Sequence, residues 1–164
     1  MGRKVDVGHL VGARTASEHL GLVRVQVLHN LRSVDPAFPE ALYWTIRGQG
    51  GTGIWYWPDI WRYARASDRV EFVRNPPPPL RRSSARPVRR VDVDNLIDGK
   101  GISRRLGLQG PRSFHLFIEE DPTFPPEVFS SNGGKWGTHL WVWPDVHRWA
   151  KRRDRAVFLD VIDE

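Results

Sequence analysis

The sequence predicts a mainly α-helical fold with short β-hairpins, built twice in tandem. Three observations carry this expectation. Residues 3–73 slide onto residues 89–159 without a gap and match at 26 of 71 positions. Within each copy two β-prone runs flank a glycine-rich tip, "ALYWTIRGQGGTGIWYW" and "EVFSSNGGKWGTHLWVW". Each copy then continues as "PDIWRYARASDR" or "PDVHRWAKRRDR", where proline and aspartate suit the missing donors and positive dipole end of a helix start. A ligand site need not recur along a chain, whereas a fold unit must bury the same residues each time.

The elements follow in order. After a "VDV" lead at 5–7 and 91–93, Leu10, Ala13, Ala16 and Leu20 recur at near-helical spacing, and Gly21 supplies a stop suited to a tight turn. Residues 23–33, "VRVQVLHNLRS", begin with strand-like alternation, yet Val27, Leu28 and Leu31 also form an apolar helical stripe. The matched segment "QGPRSFHLFIEE" favours the helix, because it places Pro111 where a helix has its first turn, with Phe114, Phe117 and Ile118 behind it. "DPAFPE" and "DPTFPP" end that helix, since proline lacks a donor and restricts its predecessor. The hairpin and the closing helix complete the order helix, turn, helix, hairpin, helix.

Residues 1–73 and 89–164 are therefore the expected domains, joined by a linker at 74–88. Its four consecutive prolines favour an extended polyproline II arm, and a serine- and arginine-rich stretch follows.

Composition narrows the function. The 164 residues are 40% apolar, enough for one ordinary domain or two small ones. Cysteine is absent, which excludes disulfides and thiolate metal sites and fits a reducing compartment. No apolar run approaches the roughly 18 residues of a membrane span, so a soluble, cytoplasmic protein with no membrane partner is expected. The net charge is +6, divided as +8 over residues 1–90 and −2 over 91–164. Such a surplus favours a polyanionic partner. His9, His19, His29, His115, His139 and His147 are scattered, and no HExxH, GxSxG or Walker A pattern occurs. No enzymatic activity, cofactor or metal is expected.

The aromatic stretch "GIWYWPDIWRYA" at 53–64 returns as "HLWVWPDVHRWA" at 139–150. Recurrence behind a Pro-Asp helix start favours core packing for Trp55, Trp57 and the Ile60/Val146 pair over an aromatic cage or a base-stacking platform. Trp61 is less determined, because its counterpart is His147.

"ASEHLGLVRVQVLHNL", followed by "DPAFPE", a hairpin and "WYWPDIWRYA", resembles the MerR-like winged helix-turn-helix domains of the excisionase and AlpA regulator type. The resemblance covers about 140 residues and occurs twice in the same order. It implies two tandem winged helix-turn-helix modules that bind double-stranded DNA sequence-specifically, as a transcription regulator or as an accessory factor in recombination and excision. In such domains the residues after "LG" begin the DNA-reading helix and "FP" opens the wing. The second copy departs at "LGLQGPRS", where the usual Ser/Thr-Arg start is missing.

A helix in the major groove needs donors and acceptors opposite its core stripe. Arg24, Gln26, His29 and Asn30 are the base-reading candidates of the first copy, and Arg112, Ser113 and His115 those of the second. Arg32 of the reading helix, Arg47 and Lys135 of the wings, Arg81, Arg82, Arg86, Arg89 and Arg90 of the linker region, and Lys151 and Arg152 of the last helix are candidates for phosphate or the minor groove. Glu119, Glu120 and Asp121 weigh against DNA contact by the second copy. The competing expectation is a protein-interaction module that keeps a winged-helix core, its partner held by the second copy or by the tail "AVFLDVIDE". For DNA, two half-sites spanning about 18–24 base pairs are expected, arranged more readily as a direct repeat than as a palindrome.

Overall fold

The computed structural model describes residues 2–45, 52–69, 72–73, 89–108, 111–131 and 137–153; within 111–120 it describes the side chains of Phe114, His115, Ile118, Glu119 and Glu120. The chain divides into two units, Lys4–Arg90, and Val91–Glu164 together with Met1–Arg3. The first holds β1 (Lys4–Asp6), β2 (Leu10–Gly12), α1 (Ala13–His19), α2 (Val25–Val34), β3 (Tyr43–Trp44), β4 (Gly53–Tyr56) and α3 (Trp57–Ala66). The matched elements are β5 (Arg90–Asp92), β6 (Leu96–Asp98), α4 (Gly99–Arg105), α5 (Pro111–Glu120), β7 (Phe129–Ser130), β8 (His139–Val142) and α6 (Trp143–Arg152). Helices and small antiparallel sheets thus alternate in the same order in each unit.

The strand β2 corrects the helical spacing read through Leu10. Leu10, Val11 and Gly12 are all buried and extended, pairing antiparallel with β4 so that Val11 faces Trp55 in register. The sheet is therefore three-stranded, in the order β2-β4-β3, with Tyr43 opposite Ile54. In the second unit the order is β6-β8-β7, with Ile97 opposite Trp141 and Phe129 opposite Leu140. A backbone ladder outweighs apolar spacing over three residues, too short a run for either periodicity to register. Trp57 likewise begins α3 rather than ending the strand.

A glycine turn joins α1 to α2. Gly21 has φ +68°, and its N–H donates to the Glu18 carbonyl at 3.1 Å while the Leu22 N–H donates to that of Ser17 at 2.9 Å. Gly107, at φ +65°, repeats both bonds toward Arg104 and Ser103 at 3.2 and 2.8 Å. This doubly bonded helix end needs a left-handed residue, and glycine adopts it without Cβ strain. The chain then re-enters a helix at Val25, with Arg24 extended ahead of it. In the second unit the helix opens at Pro111, as expected for a residue that lacks a donor.

Aspartates at 35 and 121 stop these helices and tie them to the last one. The Asp35 carboxylate accepts the Ala37 N–H at 3.0 Å, the Tyr63 hydroxyl at 2.6 Å and the Arg69 guanidinium at 3.2 Å. Asp121 accepts from Thr123 N–H at 2.9 Å, from Trp149 Nε1 at 3.3 Å and from the Arg153 guanidinium at 3.1 Å. The Tyr63 hydroxyl and the Ala37 amide hold Asp35 below the usual carboxylate range, and Thr123 does the same for Asp121. Burial and the Asp35 carboxylate raise the Tyr63 phenol. Tyr63 and Trp149 occupy the same repeat position, so different aromatic rings present a donor to the same carboxylate.

The core sits between the helices and the sheet. Trp55, Leu28, Ile60 and Ala16 are its closed centre in the first unit, and Phe114, Trp141, Val146 and Trp149 in the second. Trp55, fully buried, donates from Nε1 to the Pro39 carbonyl at 3.2 Å. Trp61 is half-buried against the same core. Each hairpin is closed by hydroxyls: Thr52 N–H donates to Thr45 Oγ1 at 3.0 Å, and Thr138 N–H to Ser131 Oγ at 2.7 Å.

Candidate functional site

Leu28 and Leu31 turn one side of α2 into the core, and at about 100° per residue the opposite side carries Gln26, His29, Asn30 and Ser33. Gln26, Asn30 and Ser33 are exposed and His29 is half-buried. Gln26 Nε2 donates to Asn30 Oδ1 at 3.1 Å, and Ser33 Oγ donates to the Asn30 carbonyl at 2.9 Å. The (i, i+4) amide pair leaves donors and an acceptor directed away from the helix, with no carboxylate anywhere on α2. Arg24 lies exposed at the leading end, beside Val23, which is 92% exposed.

Arg32 points to the hairpin side. Its guanidinium lies over the Trp44 ring of β3, 4.2 Å from the centroid, and Trp44 meets the buried Trp55 edge-on at 5.9 Å. Trp44 keeps 37% of its surface exposed. Among the described residues no hydrogen bond or ion pair engages the Arg32 guanidinium, which packs over the Trp44 ring instead.

The second unit presents a different face. His115 is half-buried, 6.1 Å from the Phe114 ring, and Glu119 and Glu120 are exposed near the end of α5. Arg112 and Ser113 lie in the first turn of α5, their side chains outside the described ones. Where the first unit has Arg32 and Trp44, the second has Ile118, packed against its core, and Ser130. Asp121, expected to repel phosphate, is instead partnered by Trp149 and Arg153, just as Asp35 is by Tyr63 and Arg69. That carboxylate does not distinguish the two units.

Of the other cationic candidates, Arg47, Arg81, Arg82, Arg86 and Lys135 lie outside the described residues. Arg90 is exposed at the start of β5, and Arg89 is half-buried before it. Lys151 and Arg152 are exposed, and with Trp143, Pro144, His147 and Arg148 they line an open concavity of about 560 Å³.

Sequence reasoning passed over Trp44. The signal was present in the repeat, because Arg32 and Trp44 are both replaced in the second copy, by Ile118 and Ser130. A similar exchange surrounds the helix-start tryptophans: His19 meets Trp57 edge-on at 5.1 Å, whereas its counterpart Arg105 lies over Trp143 at 4.6 Å.

Among the described residues no helix is long and apolar enough to cross a membrane, and no His, Cys, Asp and Glu cluster suits a metal ion. Comparison with protein-family models, curated proteins and solved structures finds no match.

Proposed function

We propose that the chain binds double-stranded DNA sequence-specifically, as a transcription regulator or as an accessory factor in recombination and excision, through two winged helix-turn-helix modules of the MerR-like excisionase type. The observation that carries this reading is the carboxylate-free polar face of α2, set by the glycine turn on one side and flanked by the β3-β4 hairpin on the other. α2 enters the major groove by its N-terminal half. Gln26 and Asn30 offer the paired donor and acceptor that adenine presents in reverse, and Arg24 at the leading end reaches a base edge or a phosphate. The surplus of positive charge in residues 1–90 supplies the sequence-independent attraction.

The second unit contributes through linkage. Its α5 carries Glu119 and Glu120, so it binds weakly by itself, but tethering converts its engagement into an intramolecular step. The experiment is selection of bound fragments from random duplex DNA by the full chain. Enrichment of two half-sites within about 18–24 base pairs is expected. Failure to enrich any sequence overturns the reading, and a footprint of about 10 base pairs that survives removal of residues 89–164 overturns the part given to the second unit.

A further inference from the structure

The face of α2 accounts for base edges but leaves unused the stack that bridges α2 and the hairpin. We infer that Arg32 and Trp44 form a clamp for one DNA backbone phosphate, peculiar to the first unit, that fixes the register of the reading helix; this rests on the DNA-binding reading above.

Arg32 sits two positions beyond Asn30, near the hairpin-facing border of the polar face, and its guanidinium lies over the Trp44 ring, 4.2 Å from the centroid. Trp44 is itself fixed, because its edge contact with the fully buried Trp55 anchors the ring to the core. A freely rotating arginine must be ordered when it binds a phosphate, whereas one stacked on an anchored ring is already oriented. The contact over the ring uses none of the guanidinium N–H donors in a hydrogen bond to a described residue, so they are left for an anion, and the arginine fork suits a bidentate bond to phosphate oxygens. The partner is a DNA phosphate rather than a base, because the stack directs the group along the helix-hairpin seam and away from the Gln26-Asn30 face. A duplex whose major groove holds α2 and whose backbone passes under the hairpin presents a phosphate at that seam. In the second unit both members are gone together, and Ile118 packs against the core instead. The clamp therefore also accounts for unequal engagement by two units with the same core.

The test is a protein-DNA cycle on the full chain and its selected duplex. Arg32→Ala should weaken matched and mismatched duplexes alike, by about tenfold, and lower the salt slope by about one. A scan that replaces single phosphates by uncharged methylphosphonates should find one position that costs the wild type a similar factor and costs Arg32→Ala nothing. Trp44→Ser should reproduce much of the Arg32→Ala loss and add little to it in the double variant, while Trp44→Phe, which keeps an aromatic face, should retain most of the affinity. Thermal melts identify any loss of folding in Trp44→Ser, and Trp44→Phe then carries the comparison. Wild-type-like affinity of Arg32→Ala, additive losses in the double variant, or a scan with no position silenced by Arg32→Ala would overturn the clamp while leaving DNA binding intact. A wild-type chain that binds no duplex would remove both proposals.

Discussion

Trp55 is the residue on which the first unit can be undone. It has no exposed surface, its ring covers Gly53 so closely that a Cβ there would lie 2.5 Å from it, and it holds the Pro39 carbonyl through Nε1. Truncating a buried tryptophan to alanine costs about 3–5 kcal/mol, and leaving a carbonyl without its donor adds about 1 kcal/mol. Lys4–Arg90 spans 87 residues, for which about 0.05–0.15 kcal/mol per residue gives only about 4–13 kcal/mol in all. Trp55→Ala therefore removes between a third and all of the stability of that unit. Urea titration followed by far-ultraviolet circular dichroism measures this directly. With a slope of about 1.5–2 kcal/mol per molar, the midpoint of the affected transition should fall by about 2–4 M. Trp61→Ala, at a half-buried position, should cost less. A midpoint displaced by less than about 0.5 M in Trp55→Ala would refute the core assignment and return the ring to the pool of ligand-binding aromatics.

Gln26→Ala should cost about 1–3 kcal/mol on the selected duplex and flatten discrimination at one base pair; because Gln26 and Asn30 are hydrogen-bonded, adding Asn30→Ala should cost less than the sum, and matched and mismatched titrations check both. Gly21→Ala and Gly107→Ala each force a side chain into a left-handed backbone and should destabilise by about 1–2 kcal/mol, read as a lowered melting temperature; an unchanged melt would mean that the turn tolerates rearrangement. The Asp35 carboxyl is depressed by Tyr63 and the Ala37 amide, so the unfolded chain takes up its proton first as pH falls. The stability advantage of the wild type over Asp35→Asn should hold from neutral pH down to about pH 4 and shrink below it. A gap that stays flat to strong acid in paired denaturation curves would show that the carboxylate does not stabilise the fold through its charge.

The repeat made much of this fold readable. Aligning Val25 with Pro111 favoured a helix over a strand, and the helix indeed opens at Pro111. The doubled "DPxFP" placed the helix stop at Asp35 and Asp121, and the recurrent tryptophans placed the core. β2 was hidden because three residues carry no period, and its strand state comes from a ladder to β4, more than forty positions away. The partners of Asp121 were hidden for the same reason of distance: Trp149 and Arg153 lie 28 and 32 positions on. In the candidate site, the polarity of α2 was legible from spacing alone. The stack of Arg32 on Trp44 was not, since it depends on how the hairpin packs against α2.

Substitutions between the two units fall into physically distinct groups. At Asp35/Tyr63 and Asp121/Trp149 the ring changes but a donor still reaches the carboxylate, so the requirement is a hydrogen bond that locks the end of α2 or α5 to the closing helix. At Leu28/Phe114 and Ile60/Val146 size changes but burial does not, as a core that needs filled volume demands. At Arg32/Ile118 and Trp44/Ser130 the interaction itself is discarded, and no fold requirement explains keeping it in one unit alone. The proposed phosphate clamp accounts for that asymmetry. Because the first unit keeps that contact and lacks carboxylates on α2, the proposed binding mode gives it the first encounter with DNA. The second unit is then recruited by tethering, and exchanging the α2 and α5 faces between the units should exchange which half-site survives when the other is scrambled.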